Sequence, residues 1–228
     1  MKRVKRGTTL WNAVIGLFPI VFLGFVFGIR VASFETYWLL VSEDGILETI
    51  QFACYVLAGS VLLVQLWVLT QKPGQVLLKT SLLLLSGALL CMSFEEISWG
   101  ERLLNYRNPD FFTVYNTQKE VSLHNLVFFQ QYLHTAYILV GLVLGFVVPL
   151  VSHSGYLAKF RHYLFGWNMF WYFIPLSVVY AILVVVPPVS LHGFSALGFI
   201  WRDQEVVETL LAAGLLVWVV QVFQKKKV

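Results

Sequence analysis

The stretch VLLKTSLLLLSGALLCM (76–92) runs without a break into SFEEISWGERLLNYRN (93–108). The first string has one charge, Lys79, among Leu, Ser, Gly and Met. With the first residues of the second string it reaches the roughly 20 residues that carry a helix across a bilayer. Read this way, a helix leaves lipid carrying two adjacent carboxylates, Glu95 and Glu96, in its last turns. That is the wrong end of the macrodipole for an anion. These acids therefore need cations, a metal or protonation.

The rest of the chain agrees with a membrane fold. Of 228 residues, 58% are hydrophobic and 12% charged, against about 25% charged in soluble domains. The expected fold class is all-α, a polytopic transmembrane helical bundle forming a single integral membrane domain. Its six spans fall at about 11–33, 44–70, 77–101, 121–151, 167–188 and 204–223. Transmembrane β-strands alternate apolar and polar residues in segments of about ten, unlike these continuous runs. QKPG (71–74) reads as a turn, Pro175 as a kink, and Pro187–Pro188 as a helix end. GYLAKFRHYLFGW (155–167) reads as a short interfacial helix, and Gly24 with Gly28 as a GxxxG contact.

The net charge of +4 does not point to nucleic acid. Its Lys and Arg gather at MKRVKR and KKKV, the two termini, as orienting charges do, and no nucleic-acid motif accompanies them. The two cysteines, Cys54 and Cys91, fall inside spans and make no CxxC motif. There is no Asn-x-Ser/Thr sequon. The first apolar stretch, from Trp11 to about Ile29, exceeds a signal-peptide core of 7–15 residues, so an uncleaved first span is expected.

With both termini cytoplasmic, eleven basic residues lie inside: Lys2, Arg3, Lys5, Arg6, Lys72, Lys79, Lys159, Arg161 and Lys225 to Lys227. Five lie outside: Arg30, Arg102, Arg107, Lys119 and Arg202. This obeys the positive-inside rule. All twelve Asp and Glu then fall in outer loops or the outer turns of spans, a segregation that orientation does not require.

Helical spacing suggests which acids share a face. Asp44, Glu48 and Gln51 line up on the second span; Glu95, Ser98 and Arg102 on the third, with Glu96 about 100° away. Glu120 and His124 stand one turn apart at the start of the fourth, with Gln131 continuing the stripe. Glu205 and Glu208 neighbour each other on the sixth. Glu48, Glu95, Glu96, Glu120 and His124 form a candidate metal set. Many carboxylates with histidine suit calcium, magnesium, manganese or iron. Di-iron bundles use two Glu-x-x-His motifs, whereas this chain has one Glu-x-x-x-His. The outer loop, about 102–120, is long, polar and aromatic, and continues to His124 and Asn125 as NYRNPDFFTVYNTQKEVSLHN (105–125). It is read as a lid or as an interfacial loop, with Asn116, Gln118, Asn125 and Trp99 as candidate substrate-binding residues. Glu95, Glu96, Glu208, Ser98 and Arg102 are the candidate catalytic residues. His134 lies deeper in the fourth span.

EDGILE (43–48), FEEISWGERLL (94–104) and NTQKEVSLHN (116–125) together resemble a family of uncharacterised bacterial polytopic membrane proteins. Its pattern reads E-D-G-x-x-E, E-E-I-S-W-G-Q-R and N-x-Q-x-E-x-x-L-H-N. The match covers about the middle third of the chain. Glu101 departs from it, where the family often has glutamine. The resemblance implies a multi-pass protein of the bacterial cytoplasmic membrane and carries no activity with it.

Three functions stay open on these residues. A metal-dependent hydrolase would activate water toward a lipid or lipid-linked substrate, with Glu208 as ligand or base. A proton- or cation-coupled transporter would use the intramembrane acids and His134, but its inner half would lack carboxylates. A non-catalytic scaffold subunit would use the acids structurally. Membrane lipids are the expected partners in each case.

Overall fold

A computed structural model describes residues 3–70, 74–104, 106–155, 163–186 and 200–225. Its helices are α1 (Arg3–Ala32), α2 (Phe34–Val41), α3 (Ile46–Thr70), α4 (Val76–Glu96), α5 (Glu101–Leu104), α6 (Asp110–Tyr115), α7 (Val127–Leu142), α8 (Val148–Ser154), α9 (Phe170–Val185) and α10 (Gln204–Lys225). No strand occurs among the described residues. Six stretches are long and apolar enough to cross a membrane: Trp11–Ala32, Phe34–Thr70, Val76–Glu96, Tyr132–Ser154, Trp167–Val185 and Trp201–Phe223. The protein is a multi-pass, all-α integral membrane protein.

Three boundaries differ from the expected ones, and each moves a site residue. The third span stops at Glu96 instead of 101, because Ser98, Trp99 and Gly100 take left-handed φ values of 48°, 54° and 78°. Helix α7, which leads into the fourth span, begins at Val127 instead of 121, so Glu120 and His124 share no helical face; Asn116 and Leu126 pair there as an isolated bridge. Asp44, at φ 55°, lies in the turn before α3 and not on the stripe with Glu48. The segment before that turn forms an additional helix, α2, whose N-cap Ser33 accepts the N–H of Thr36 at 3.2 Å. α9 runs through Pro175. Residues 71–73, most of the expected interfacial helix and Pro187–Pro188 lie outside the described residues.

The chain groups into two compact units. One comprises Ile46–Leu133 with Leu215–Val228. In it α3 packs on α4. The buried stripe of α3 is Leu47, Gln51, Tyr55, Ala58, Leu62, Gln65 and Leu69; that of α4 is Leu82, Ser86, Leu89 and Ser93. Both follow the alternating three- and four-residue spacing of a helix-pair seam. Small and polar side chains sit inside this seam while Leu83 and Leu84 stay exposed. Lipid is as apolar as leucine, so membrane helices gain from close approach and hydrogen bonds instead. Ser86 Oγ donates to the Gly59 carbonyl of the facing helix at 2.9 Å.

The other unit comprises Met1–Gly45 with His134–Gly214. α9 supplies much of its buried core, with Tyr172, Phe173, Leu176, Tyr180 and Leu183. Close helix contacts here are at Gly141, Gly145 and Gly214, and the expected Gly24–Gly28 motif makes none among the described residues. A Cβ on Gly141 would stand 2.7 Å from the Phe173 carbonyl, while Gly24 and Gly28 face open space. Ser177 Oγ closes the contact by donating to the Ile138 carbonyl at 2.7 Å.

Candidate functional site

In the unit built on α3 and α4, the turn that ends α4 and the loop before α7 are fastened side chain to backbone. α4 carries Glu95 to its penultimate position. Glu95 Oε2 accepts the backbone N–H of Leu123 at 2.7 Å and that of His124 at 3.1 Å. The same oxygen lies 3.1 Å from His124 Nδ1, and Oε1 accepts the Trp99 indole N–H. Two backbone N–H groups, an indole and an imidazole thus solve the problem of a carboxylate at a helix C-terminus. The acid is held by a returning loop, with the His124 ring the one basic side chain bonded to it among the described residues.

The left-handed turn explains how those donors reach it. It reverses the chain after Glu96, so that Trp99 lies back over its own helix, stacked on Phe94 with ring centroids 5.5 Å apart. Left-handed backbone costs a non-glycine residue roughly 1–2 kcal/mol. Ser98 and Trp99 both carry that strain, offset by one side-chain bond each. Ser98 Oγ donates to Glu120 Oε2 at 2.7 Å.

Glu120, 7% exposed, organises the loop. Its Oε1 accepts Asn125 Nδ2 at 2.8 Å and Ser122 Oγ at 3.1 Å. Asn125 also donates to Gln118 Oε1 at 2.9 Å, and Asn116 Nδ2 donates to the Ser122 carbonyl at 2.8 Å. Glu101 adds a clasp by accepting the N–H of Val121 at 2.8 Å. Eight expected site residues come together in this network: Glu95, Ser98, Trp99, Asn116, Gln118, Glu120, His124 and Asn125. Their grouping depends on the loop's return and not on the helical stripes expected for them.

The others are placed differently. Glu48 is half-buried in the first turn of α3 and Glu96 is the half-buried last residue of α4. The Arg102 side chain lies outside the described residues. Glu208 belongs to the other unit, where the Tyr180 hydroxyl donates to it. The expected metal set of Glu48, Glu95, Glu96, Glu120 and His124 is not assembled: no group of three or more His, Cys, Asp and Glu side chains able to hold a metal ion exists among the described residues. The physical reason is visible at two of the five, whose oxygens are occupied by backbone, indole, hydroxyl and amide donors.

What remains open is one face of His124. Its side chain is 37% exposed, against 15% for Glu95. Its only side-chain bond uses Nδ1, so Nε2 has no partner among the described residues. The carboxylate accepts on both oxygens, which assigns the proton to Nδ1 and leaves the Nε2 lone pair available. An imidazole oriented this way can take a proton from water or a hydroxyl and return it.

The other unit has a charged network that spacing did not reveal. Arg30, at the end of α1, lies 2.6 Å from Asp203 Oδ1. That oxygen also accepts the Tyr37 hydroxyl at 2.5 Å, and Asp203 Oδ2 accepts the N–H of Ile200 at 2.9 Å. Arg202 pairs with Glu43 and lies 3.4 Å from Glu205. His134 packs on Tyr180 and Trp201 with centroids at 5.4 and 5.6 Å. The sequence hint was Arg30, a cation at the end of an apolar span. Its partner stands 173 residues away, beyond any helical spacing rule.

No family model, curated protein or solved structure matches the chain, so its classification rests on what it shows of itself: an all-α, multi-pass integral membrane protein.

Proposed function

We propose that this protein is a membrane-bound acid–base enzyme acting on the polar end of a lipid or lipid-linked substrate. His124 is the proton carrier, and Glu95 fixes its tautomer and orientation. The supporting observation is the Glu95 Oε2–His124 Nδ1 contact at 3.1 Å with the other ring nitrogen open. In a hydrolysis, Nε2 removes a proton from water as its oxygen bonds to the carbonyl carbon or phosphorus. The imidazolium then protonates the departing oxygen, which restores the neutral ring. Asn116, Gln118 and Asn125 shape the surrounding loop, and Ser98 holds it through Glu120. The steps written here use only this chain's own side chains and water.

A second reading, a non-catalytic membrane subunit, draws on the two backbone N–H bonds that Glu95 accepts from Leu123 and His124. These fasten the loop whatever the ring does. His124→Asn separates the two readings, since it removes the ring and keeps both backbone bonds. Purified protein in nanodiscs would be given fluorescent glycerolipids with ester and phosphodiester linkages, and products resolved by mass. The enzyme reading expects turnover in the parent and a loss of at least about 100-fold in His124→Asn, the lower range for general acid–base catalysis, at unchanged thermal stability. Equal product formation by both proteins contradicts it.

A further inference from the structure

We infer that residues 106–119 form an arch that inserts into the surface of the bilayer, with rings at the headgroup–acyl boundary and two cations on lipid phosphates. The Asn108 side chain donates to the Lys119 carbonyl, which closes the arch at its base and brings Arg107 and Lys119 to the same place. Both residues are exposed, and neither cationic group has a partner among the described residues. α6 forms the arch and buries none of its side chains. Phe111, Val114 and Tyr115 are 49, 69 and 52% exposed, with the two rings packed together at 5.2 Å.

The chain itself identifies what covers these side chains. The arch lies between spans that end at Glu96 and restart at Tyr132, so it is tethered at a membrane face from both sides. Aromatic rings concentrate at that depth. Lys and Arg near it gain from anionic headgroups. Asp110, the arch's exposed acid, sits in the first turn of α6, where the helix dipole favours it. This anchor holds whether or not His124 transfers a proton, so its failure and that of the acid–base reading are separable.

The test uses the full chain carrying Val114→Cys in a Cys54→Ala, Cys91→Ala background, labelled with an environment-sensitive fluorophore. It is reconstituted in phosphatidylcholine vesicles with and without phosphatidylglycerol. The expected result is strong quenching by nitroxide-labelled phospholipid and several-fold weaker quenching by aqueous acrylamide than for free dye. Phosphatidylglycerol should increase the lipid quenching, and Arg107→Gln with Lys119→Gln should remove that increase. Acrylamide quenching equal to that of free dye overturns the proposal. So does shielding from both quenchers, which would mean that protein, from a second copy or another partner, covers the arch.

Discussion

Glu95 and His124 are joined twice through one oxygen: Glu95 Oε2 accepts the backbone N–H of His124 and also meets its ring Nδ1, both at 3.1 Å. Position and tautomer of the imidazole are therefore set by the same carboxylate. Glu95 in turn is fixed by the Trp99 indole, which a left-handed turn delivers. The arrangement accounts for a carboxylate at the C-terminal end of α4, where a helix alone disfavours one.

The strained turn gives a reversed substitution order. Ser98→Ala and Ser98→Gly both delete the bond to Glu120, a loss of roughly 1.5–3 kcal/mol for a charged acceptor. Only glycine also removes the left-handed penalty of about 1–2 kcal/mol. Ser98→Gly should therefore melt above Ser98→Ala. Inside an ordinary helix alanine is favoured by about 1 kcal/mol, so the opposite order would show that residue 98 is not left-handed.

Glu101 needs an acceptor oxygen and not a charge for its bond to Val121 N–H. Glu101→Ala should lose roughly 1.5–3 kcal/mol, as for any bond to a charged acceptor, whereas Glu101→Gln keeps an acceptor and should lose about 1 kcal/mol less. Reversible unfolding in mixed micelles measures both. Equal losses would remove the clasp from the account.

The buried Arg30–Asp203 pair predicts a large single effect and a smaller double one. Arg30→Met strands Asp203, which is 5% exposed, and should cost about 3–5 kcal/mol. Adding Asp203→Asn removes the uncompensated charge and should recover part of that loss. Strictly additive losses in unfolding would contradict the pairing.

The glycine contacts predict opposite outcomes for the same change. Gly24→Ala adds a methyl group in open space and should be neutral or stabilising by up to about 1 kcal/mol. Gly141→Ala drives a Cβ to 2.2 Å from Ser177 Oγ and should cost about 1–3 kcal/mol. Thermal melts of the two variants check this ordering.

The spans were legible because hydropathy over some 20 residues is a local property. Paired acids after an apolar run conflict with the helix dipole, so the need of Glu95 for bonding partners was legible too, though not their identity. The faces were not legible. Helical spacing put Ser98 and Arg102 on the face of Glu95, but the helix ends before them, and nothing local announces a left-handed Ser98–Trp99 pair. Glu120 and His124 fit a helical pair equally well by spacing; instead His124 meets Glu95 of α4 and Glu120 meets Ser98 beyond its end, through a loop whose path is set by side chain-to-backbone bonds. The Arg30–Asp203 contact joins distant segments, and a single sequence carries no signal for that.

The most direct measurement is the protonation of the His124 ring. Protein with isotopically labelled histidine, in nanodiscs at a pH where the ring is neutral, would be observed by long-range proton–nitrogen NMR. Nδ1 should be protonated and Nε2 bare, with this preference lost in Glu95→Gln. A His124 protonated on Nε2, or a tautomer unchanged by Glu95→Gln, would contradict it.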